Sequence, residues 1–163
     1  MSTKAWPEPV ARVTSYLRVA GAEVRVEEFS EGTPTAQAAA SAVGCELAQI
    51  VKSLVFICDG RPVVAMVPGD RRADAGKIAS AAGGGSARIA GVEEVQDATG
   101  FEPGAVAPFP LPRVDRVFID RTLLSHRLVW IGAGSDRHMA ALSPAELVRL
   151  SRARPMDVVA AHT

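Results

Sequence analysis

The feature that most constrains this sequence is a pair of apolar, β-rich segments separated by a two-residue turn signal. Residues 53–58 (SLVFIC) and 62–67 (PVVAMV) flank Asp59-Gly60. An Asp-Gly dipeptide tolerates the positive φ angles that a tight hairpin turn requires, and the flanking residues favour extended backbone. The sequence therefore predicts an antiparallel β-hairpin in this part of the chain.

The remaining segments predict short helices and strands in irregular alternation. Apolar spacing predicts helices at residues 10–20, 36–43, 73–82, 92–98 and 144–152, and strands at 24–26, 116–120, 128–131, 138–142 and 158–160. Gly44 ends the second helix, and Ser143-Pro144-Ala145-Glu146 forms a capping box that begins the last one. This order favours one mixed α/β (α+β) domain over residues 10–163, preceded by a loose arm at residues 1–9.

Composition excludes several classes of protein. The 18 basic and 18 acidic residues cancel, whereas a protein that holds nucleic acid by bulk attraction carries an excess of basic charge. No apolar run approaches the ~20 residues of a membrane span, and no export signal is visible, so we expect a cytoplasmic protein without membrane contact. Cys45 and Cys58 do not form a metal-type pair, and His126, His138 and His162 are scattered, so we expect no metal and no cofactor.

Lys52 is the first candidate functional residue. Only three lysines occur in the chain, and this one lies inside the apolar segment 50–56 (IVKSLVF). An unpaired cation is costly to bury, so the side chain must reach solvent or a partner. An edge-strand lysine whose ammonium reaches water is the structural explanation. The functional explanation is an anion or phosphate contact held on a rigid strand.

Two glycine-containing loops are further candidates. In residues 100–109 (GFEPGAVAPF), glycines and prolines can shape a loop whose backbone N–H groups converge on one point, as an oxyanion or phosphate site requires. Residues 132–135 (GAGS) follow a predicted strand, and their small side chains leave room for a ligand or another backbone. Either loop is also consistent with a simple connection between elements.

Four blocks of residues, in this order and spacing, resemble one family. They are Thr35 before an alanine-rich helix, Lys52 within VKSLVF, the loop Gly104–Pro108, and GAGS at 132–135 followed by LSPAEL at 142–147. Together they resemble the YbaK family of aminoacyl-tRNA editing domains, which is related to the insertion domain of bacterial prolyl-tRNA synthetase. The resemblance covers about residues 10–160 and implies a mixed, mostly antiparallel curved sheet with flanking helices.

The resemblance also implies roles for particular residues. The catalytic set is Lys52, Gly104, Ala105 and Pro108, and the substrate-binding set is Thr35, Val106, Ala107, Gly132, Gly134, Ser135 and His138. In the family's alanine-specific branch a histidine lines the amino-acid pocket, and that position here is Gly132, which indicates a differently shaped pocket. His138 lies six residues further on and does not correspond to that histidine.

The function that the resemblance implies is hydrolysis of wrongly charged tRNA by a free-standing, monomeric enzyme. It would bind the acceptor end of tRNA and remove a small amino acid, with tRNA-Pro as the leading substrate and a synthetase as a further candidate partner. Because no catalytic triad is visible around Ser125-His126 or His138, a ribose hydroxyl or a substrate group is expected to assist the attacking water. Two alternatives stay open: a non-catalytic module that binds tRNA or a synthetase, and a small-nucleotide-binding protein.

Overall fold

A computed structural model describes residues 5–161 of the chain. Residues 1–4 of the predicted arm, and His162, lie outside the described residues. The helices are α1 (Glu8–Val19), α2 (Ala36–Val43), α3 (Ala75–Ala81), α4 (Val92–Thr99) and α5 (Pro144–Ser151). The strands are β1 (Val26–Glu28), β2 (Val51–Cys58), β3 (Arg61–Pro68), β4 (Ala87–Ile89), β5 (Arg116–Asp120), β6 (Val129–Ser135), β7 (His138–Leu142) and β8 (Arg154–Met156).

The strands form two sheets. One sheet has the order β1-β7-β6 and is antiparallel throughout. The other has the order β4-β2-β3-β5-β8, in which the first two pairings are antiparallel and the last two are parallel. A parallel bridge between Ile50 and Trp130 joins the sheets. The predicted class, a mixed α+β domain with mostly antiparallel strands, is confirmed.

The predicted hairpin is the longest strand pairing in the described structure. β2 and β3 pair without interruption from Val51 opposite Pro68 to Cys58 opposite Arg61. The turn residues Asp59 and Gly60 have φ angles of 50° and 81°, as the Asp-Gly signal requires.

Alternation along this hairpin buries both faces of the five-stranded sheet. Val55 faces a cluster that includes residues of α1, α5 and the three-stranded sheet. Its neighbour Phe56 faces the opposite cluster, which contains Ile78 of α3 and Val158. Side chains along a strand point alternately to either face of the sheet. Strand β2 therefore packs against one hydrophobic cluster on each face.

Several segments differ from the sequence prediction. β1 lies at residues 26–28 rather than 24–26, and β4 at residues 87–89 was not predicted. α1 begins at Glu8, two residues early, so the predicted arm contributes to the helix. The last strand is residues 154–156, which pair with β5, whereas residues 158–160 hold only a bridge between Val159 and Ala73. Residues 132–135 lie within β6, where a register irregularity separates Gly132 from Ser135, and not in a loop after the strand.

Candidate functional site

A cleft of about 300 Å³ lies where the two sheets meet. Its walls come from the start of β2, from β6 and β7, from the beginning of α2 and from the loop around Gly104. The residues that line it are Thr33, Pro34, Thr35, Ala36, Ala39, Ile50, Val51, Lys52, Ser53, Leu54, Gly104, Val106, Gly132, Ser135 and Met139. Segments far apart in sequence therefore meet around one concave surface, which is the usual form of a ligand site.

Six of the predicted site residues line this cleft and five do not. Those that line it are Thr35, Lys52, Gly104, Val106, Gly132 and Ser135. Ala105 and Ala107 are buried in the same loop behind the cleft surface. Pro108 borders a separate cavity beside Tyr16. Gly134 and His138 do not line the cleft.

Lys52 brings a cation to the wall of the cleft. It lies on β2 and is half-buried, and its Nζ donates a hydrogen bond of 2.8 Å to the Arg71 carbonyl oxygen. An ammonium group has three N–H donors, so two remain for a ligand. Burial lowers the pKa of Lys52, Asp70 opposes that change, and Arg72 lowers the pKa further.

The beginning of α2 forms the wall that carries Thr35. The Thr35 hydroxyl oxygen accepts a hydrogen bond of 3.0 Å from the Ala38 N–H and caps the helix. The Thr33 N–H donates to the Asp136 carbonyl oxygen, which holds this segment against the turn between β6 and β7. The first N–H groups of a helix carry partial positive charge, so this wall favours a negatively charged or carbonyl group in the cleft.

The loop around Gly104 forms the opposite side. Gly104 has a φ of 81°, a conformation that favours glycine. The Ala105 N–H donates to the Glu102 carbonyl oxygen at 2.9 Å, so that N–H closes a turn and does not face a ligand. Among the described residues, no backbone carbonyl accepts from the Gly104 or Val106 N–H. Both residues line the cleft, so these two N–H groups are the donors that the loop can offer.

Two glycines of β6 have different surroundings. A Cβ at Gly132 would lie 3.6 Å from the Val106 carbonyl oxygen, which is an ordinary contact across the cleft. A Cβ at Gly134 would lie 2.8 Å from the Pro9 carbonyl oxygen, and Gly134 has a φ of 106°. Gly134 therefore permits α1 to approach β6, whereas Gly132 leaves space in the cleft.

His138 lies behind Ser135. Its imidazole is buried, and its Nδ1 is 2.5 Å from the Ser135 hydroxyl oxygen. Ser135 itself lines the cleft, so His138 lies one hydrogen bond away from a residue of the cleft wall.

Sequence reasoning missed several lining residues and one close approach. Thr33, Ser53 and Met139 line the cleft, but single polar or apolar residues give no motif by which to find them. Gly69 follows β3, and a Cβ there would lie 2.6 Å from the Leu47 carbonyl oxygen. This glycine lets the segment before β2 approach β3 beside the cleft.

Other reactive groups in the described structure lie outside this arrangement. Burial raises the pKa of both Cys45 and Cys58, which disfavours the nucleophilic thiolate. Between residues 5 and 161 no three His, Cys, Asp or Glu side chains are grouped as metal ligands. None of the helices in that range is long and apolar enough to cross a membrane.

Comparison with known proteins gives the family to which this fold belongs. Residues 30–150 match the model of the aminoacyl-tRNA editing domain. This match covers well over half of the chain, so the chain belongs to the aminoacyl-tRNA editing domain family. The predicted family is thereby confirmed.

Three similar proteins illustrate this family membership. A proline–tRNA ligase of Maridesulfovibrio salexigens is 34% identical over 119 residues, 72% of this chain but only 20% of the ligase. EbsC of Enterococcus faecalis, named as a candidate Cys-tRNA(Pro)/Cys-tRNA(Cys) deacylase, is 24% identical over 131 residues and 80% of each chain. A crystal structure of a candidate trans-editing enzyme for prolyl tRNA synthetase superposes with a TM-score of 0.90 at 35% identity, and covers 96% of this chain and all of that one.

Proposed function

We propose that this protein is a deacylase that acts in trans on mischarged tRNA and hydrolyses the ester between a small amino acid and the terminal ribose, with tRNA-Pro as the leading substrate. The observation that carries this proposal is that Lys52, the start of α2 and the Gly104 loop line one cleft. The names of the ligase, the deacylase and the trans-editing structure support the choice of tRNA-Pro.

Lys52 positions the end of the tRNA. Its two remaining N–H groups bind the terminal phosphate or ribose, while the bond to the Arg71 carbonyl fixes the ammonium. Holding the ester in one orientation converts an encounter in solution into a reaction within a complex, which is a large part of many enzymatic rate enhancements.

The loop stabilises the charge that develops during attack. Water adds to the ester carbonyl, and negative charge builds on the carbonyl oxygen. The Gly104 and Val106 N–H groups are the donors for that oxygen, because both residues line the cleft and the Ala105 N–H is already bonded to the Glu102 carbonyl. Removing one such donor typically costs about 10²–10³ in rate.

Size limits the side chain that the cleft accepts. A volume of about 300 Å³ must hold the aminoacyl group and part of the terminal nucleotide. Gly132 leaves space for a small side chain opposite the Val106 carbonyl. One methylene is worth about 1–3 kcal/mol of discrimination in such a pocket, so we expect modest selectivity among small amino acids.

The proposal also covers the extent of the domain, its cellular location, its oligomeric state and its partners. Residues 10–163 act as one deacylase domain behind the segment 1–9, as a cytoplasmic monomer that binds the acceptor end of tRNA without a metal or cofactor. A synthetase is the candidate protein partner. The formal net charge of zero is compatible with local rather than bulk attraction to tRNA.

The test is loss of labelled amino acid from alanyl-, cysteinyl-, seryl- and 2-aminobutyryl-tRNA-Pro. Wild type, Lys52→Ala and Lys77→Ala are compared. Lys77 is the matched control because it lies on α3, outside the cleft, and pairs with Asp157 at 3.0 Å. We expect hydrolysis of one or a few esters, a strong loss in Lys52→Ala and wild-type rates in Lys77→Ala.

Two outcomes would contradict the proposal. Binding of charged tRNA without loss of any ester would indicate a non-catalytic module. Equal hydrolysis by wild type and Lys52→Ala would support the deacylase activity but would show that Lys52 has no role in it.

A further inference from the structure

Three polar side chains form a row across the three-stranded sheet beside the cleft. The strand register places Glu28 of β1 directly opposite His138 of the central strand β7, and His138 opposite Ser135 of β6. The Ser135 hydroxyl oxygen lies 2.5 Å from His138 Nδ1, and His138 Nε2 lies 3.8 Å from Glu28 Oε2. The row runs from Ser135, which lines the cleft, through a buried imidazole to a partly exposed carboxylate.

The hydrogen bonds of Ser135 indicate which positions of its hydroxyl group donate and which accept. A serine hydroxyl has one donor and two acceptor positions. The Arg137 N–H donates to the Ser135 oxygen at 3.0 Å and occupies one acceptor position. The tautomer that carries its proton on Nε2, on the side of Glu28, leaves Nδ1 to accept from the Ser135 hydroxyl. One acceptor position of Ser135 is left for a group in the cleft.

We propose that Ser135 is a catalytic residue that relays a proton from the attacking water to His138, and that Glu28 is a positioning residue which orients the imidazole and stabilises its charged form. This inference rests on the proposed deacylase function. It supplies the protein base that the sequence alone does not reveal, in place of assistance by the substrate.

The relay balances without any further reactant. As the water oxygen bonds to the ester carbon, one water proton passes to the Ser135 oxygen and the Ser135 proton passes to His138 Nδ1. The carbonyl π electrons move onto the carbonyl oxygen. When the carbonyl re-forms, the bond between carbon and ribose oxygen breaks, and that oxygen receives the proton back from His138 through Ser135. The products are the amino acid and uncharged tRNA.

The surroundings of the imidazole determine how its protonation responds to mutation. Glu28 faces it from β1, and the N-terminal segment contributes the uncharged ring of Trp6, edge-on at 5.4 Å between centroids. The adjoining turn holds the charged residues Asp136 and Arg137, and the Arg137 guanidinium donates to the Ser30 carbonyl. A variant of Glu28 therefore removes a carboxylate that lies 3.8 Å from Nε2.

The first experiment measures kcat and KM on the charged tRNA that the wild type hydrolyses fastest. Ser135→Ala should lower kcat by about 10²–10⁴ with KM nearly unchanged, because it removes a step rather than binding. Ser135→Thr keeps the hydroxyl and should recover much of the rate. Ser125→Ala is the matched control, since Ser125 is exposed outside the cleft and bonds to the Thr122 carbonyl.

The second experiment compares the pH dependence of kcat/KM for wild type and Glu28→Gln. The base acts in its neutral form, so activity rises with pH as the imidazole loses its proton. Removal of the carboxylate disfavours the imidazolium, so the rising limb should move to lower pH. A purely structural role for Glu28 would not move this limb.

The outcomes separate the relay from the function on which it rests. A wild-type protein that hydrolyses no ester overturns both. An active wild type with an unchanged rate in Ser135→Ala, or an unshifted limb in Glu28→Gln, overturns the relay alone. Trapping of an acyl group on Ser135 would also overturn it, because the serine would then be the nucleophile.

Discussion

Gly132 offers a direct test of how the cleft selects its substrate. Replacing Gly132 by alanine places a methyl group 3.6 Å from the Val106 carbonyl oxygen, which is an ordinary contact. The backbone at Gly132 does not have a positive φ, so alanine is compatible with the strand. A compatible Gly→Ala change stabilises a protein by about 0.4–1 kcal/mol through the unfolded state. The variant should therefore fold at least as well as the wild type.

The added methyl group takes up space that the amino-acid side chain would otherwise use. A 2-aminobutyryl ester has one methylene more than an alanyl ester, and one methylene is worth about 1–3 kcal/mol, or 10–200-fold, in a fitted pocket. Gly132→Ala should accordingly lower the ratio of kcat/KM for 2-aminobutyryl-tRNA to that for alanyl-tRNA by a factor in this range.

The assay is deacylation of the two charged tRNAs by wild type, Gly132→Ala and Gly91→Ala, with thermal melting of each protein. Gly91 precedes α4 outside the cleft, and a Cβ there would also have its nearest contact at 3.6 Å. We expect the control to keep the wild-type ratio. An unchanged ratio in a folded Gly132→Ala protein would refute the idea that this strand position limits side-chain size.

Two further predictions concern the neighbours of the cleft. Lys52 acts in its charged form, so activity should fall at alkaline pH as the ammonium loses its proton. Asp70→Asn removes a charge that raises the pKa of Lys52 and should move this fall to lower pH. Arg72→Gln removes a charge that lowers the same pKa and should move the fall to higher pH. The pH profile of kcat/KM checks both, and shifts in the same direction would contradict this electrostatic account. Gly69→Ala should cost about 1–3 kcal/mol of unfolding free energy in urea titration, because its Cβ would lie 2.6 Å from the Leu47 carbonyl; an unchanged midpoint would contradict it.

The sequence predicted those helices and strands whose ends are marked by turn or capping residues within the same segment. The β2–β3 hairpin follows from Asp59-Gly60, and α2 runs from Ala36 to Val43 between the Thr35 cap and Gly44, as predicted. Strand β8 was misplaced because it forms by parallel pairing with β5. Residues 154–156 contain a proline and two long side chains, and this short segment has no sequence pattern that predicts a strand.

The candidate site likewise contains residues that a local pattern predicts and residues that only distant strand pairing brings together. Lys52 stands out in sequence because a lysine in an apolar strand needs a partner, and the structure places it at the cleft. The row of Glu28, His138 and Ser135 exists only because β1 pairs with β7 in one register. A shift by one residue would turn Glu28 to the other face of the sheet, and no local pattern in the sequence specifies that pairing.

The pairing of β1 with β7 also bears on how the protein is made. Val26 lies opposite Ala140, so β1 must wait for a strand that is synthesised more than one hundred residues later. The β2–β3 hairpin is complete long before then, with apolar residues on both faces. Such distant pairings slow folding and leave apolar strands exposed meanwhile. A nascent chain released before residue 142 would lack a wall of the cleft and would be a substrate for chaperones rather than a partial enzyme.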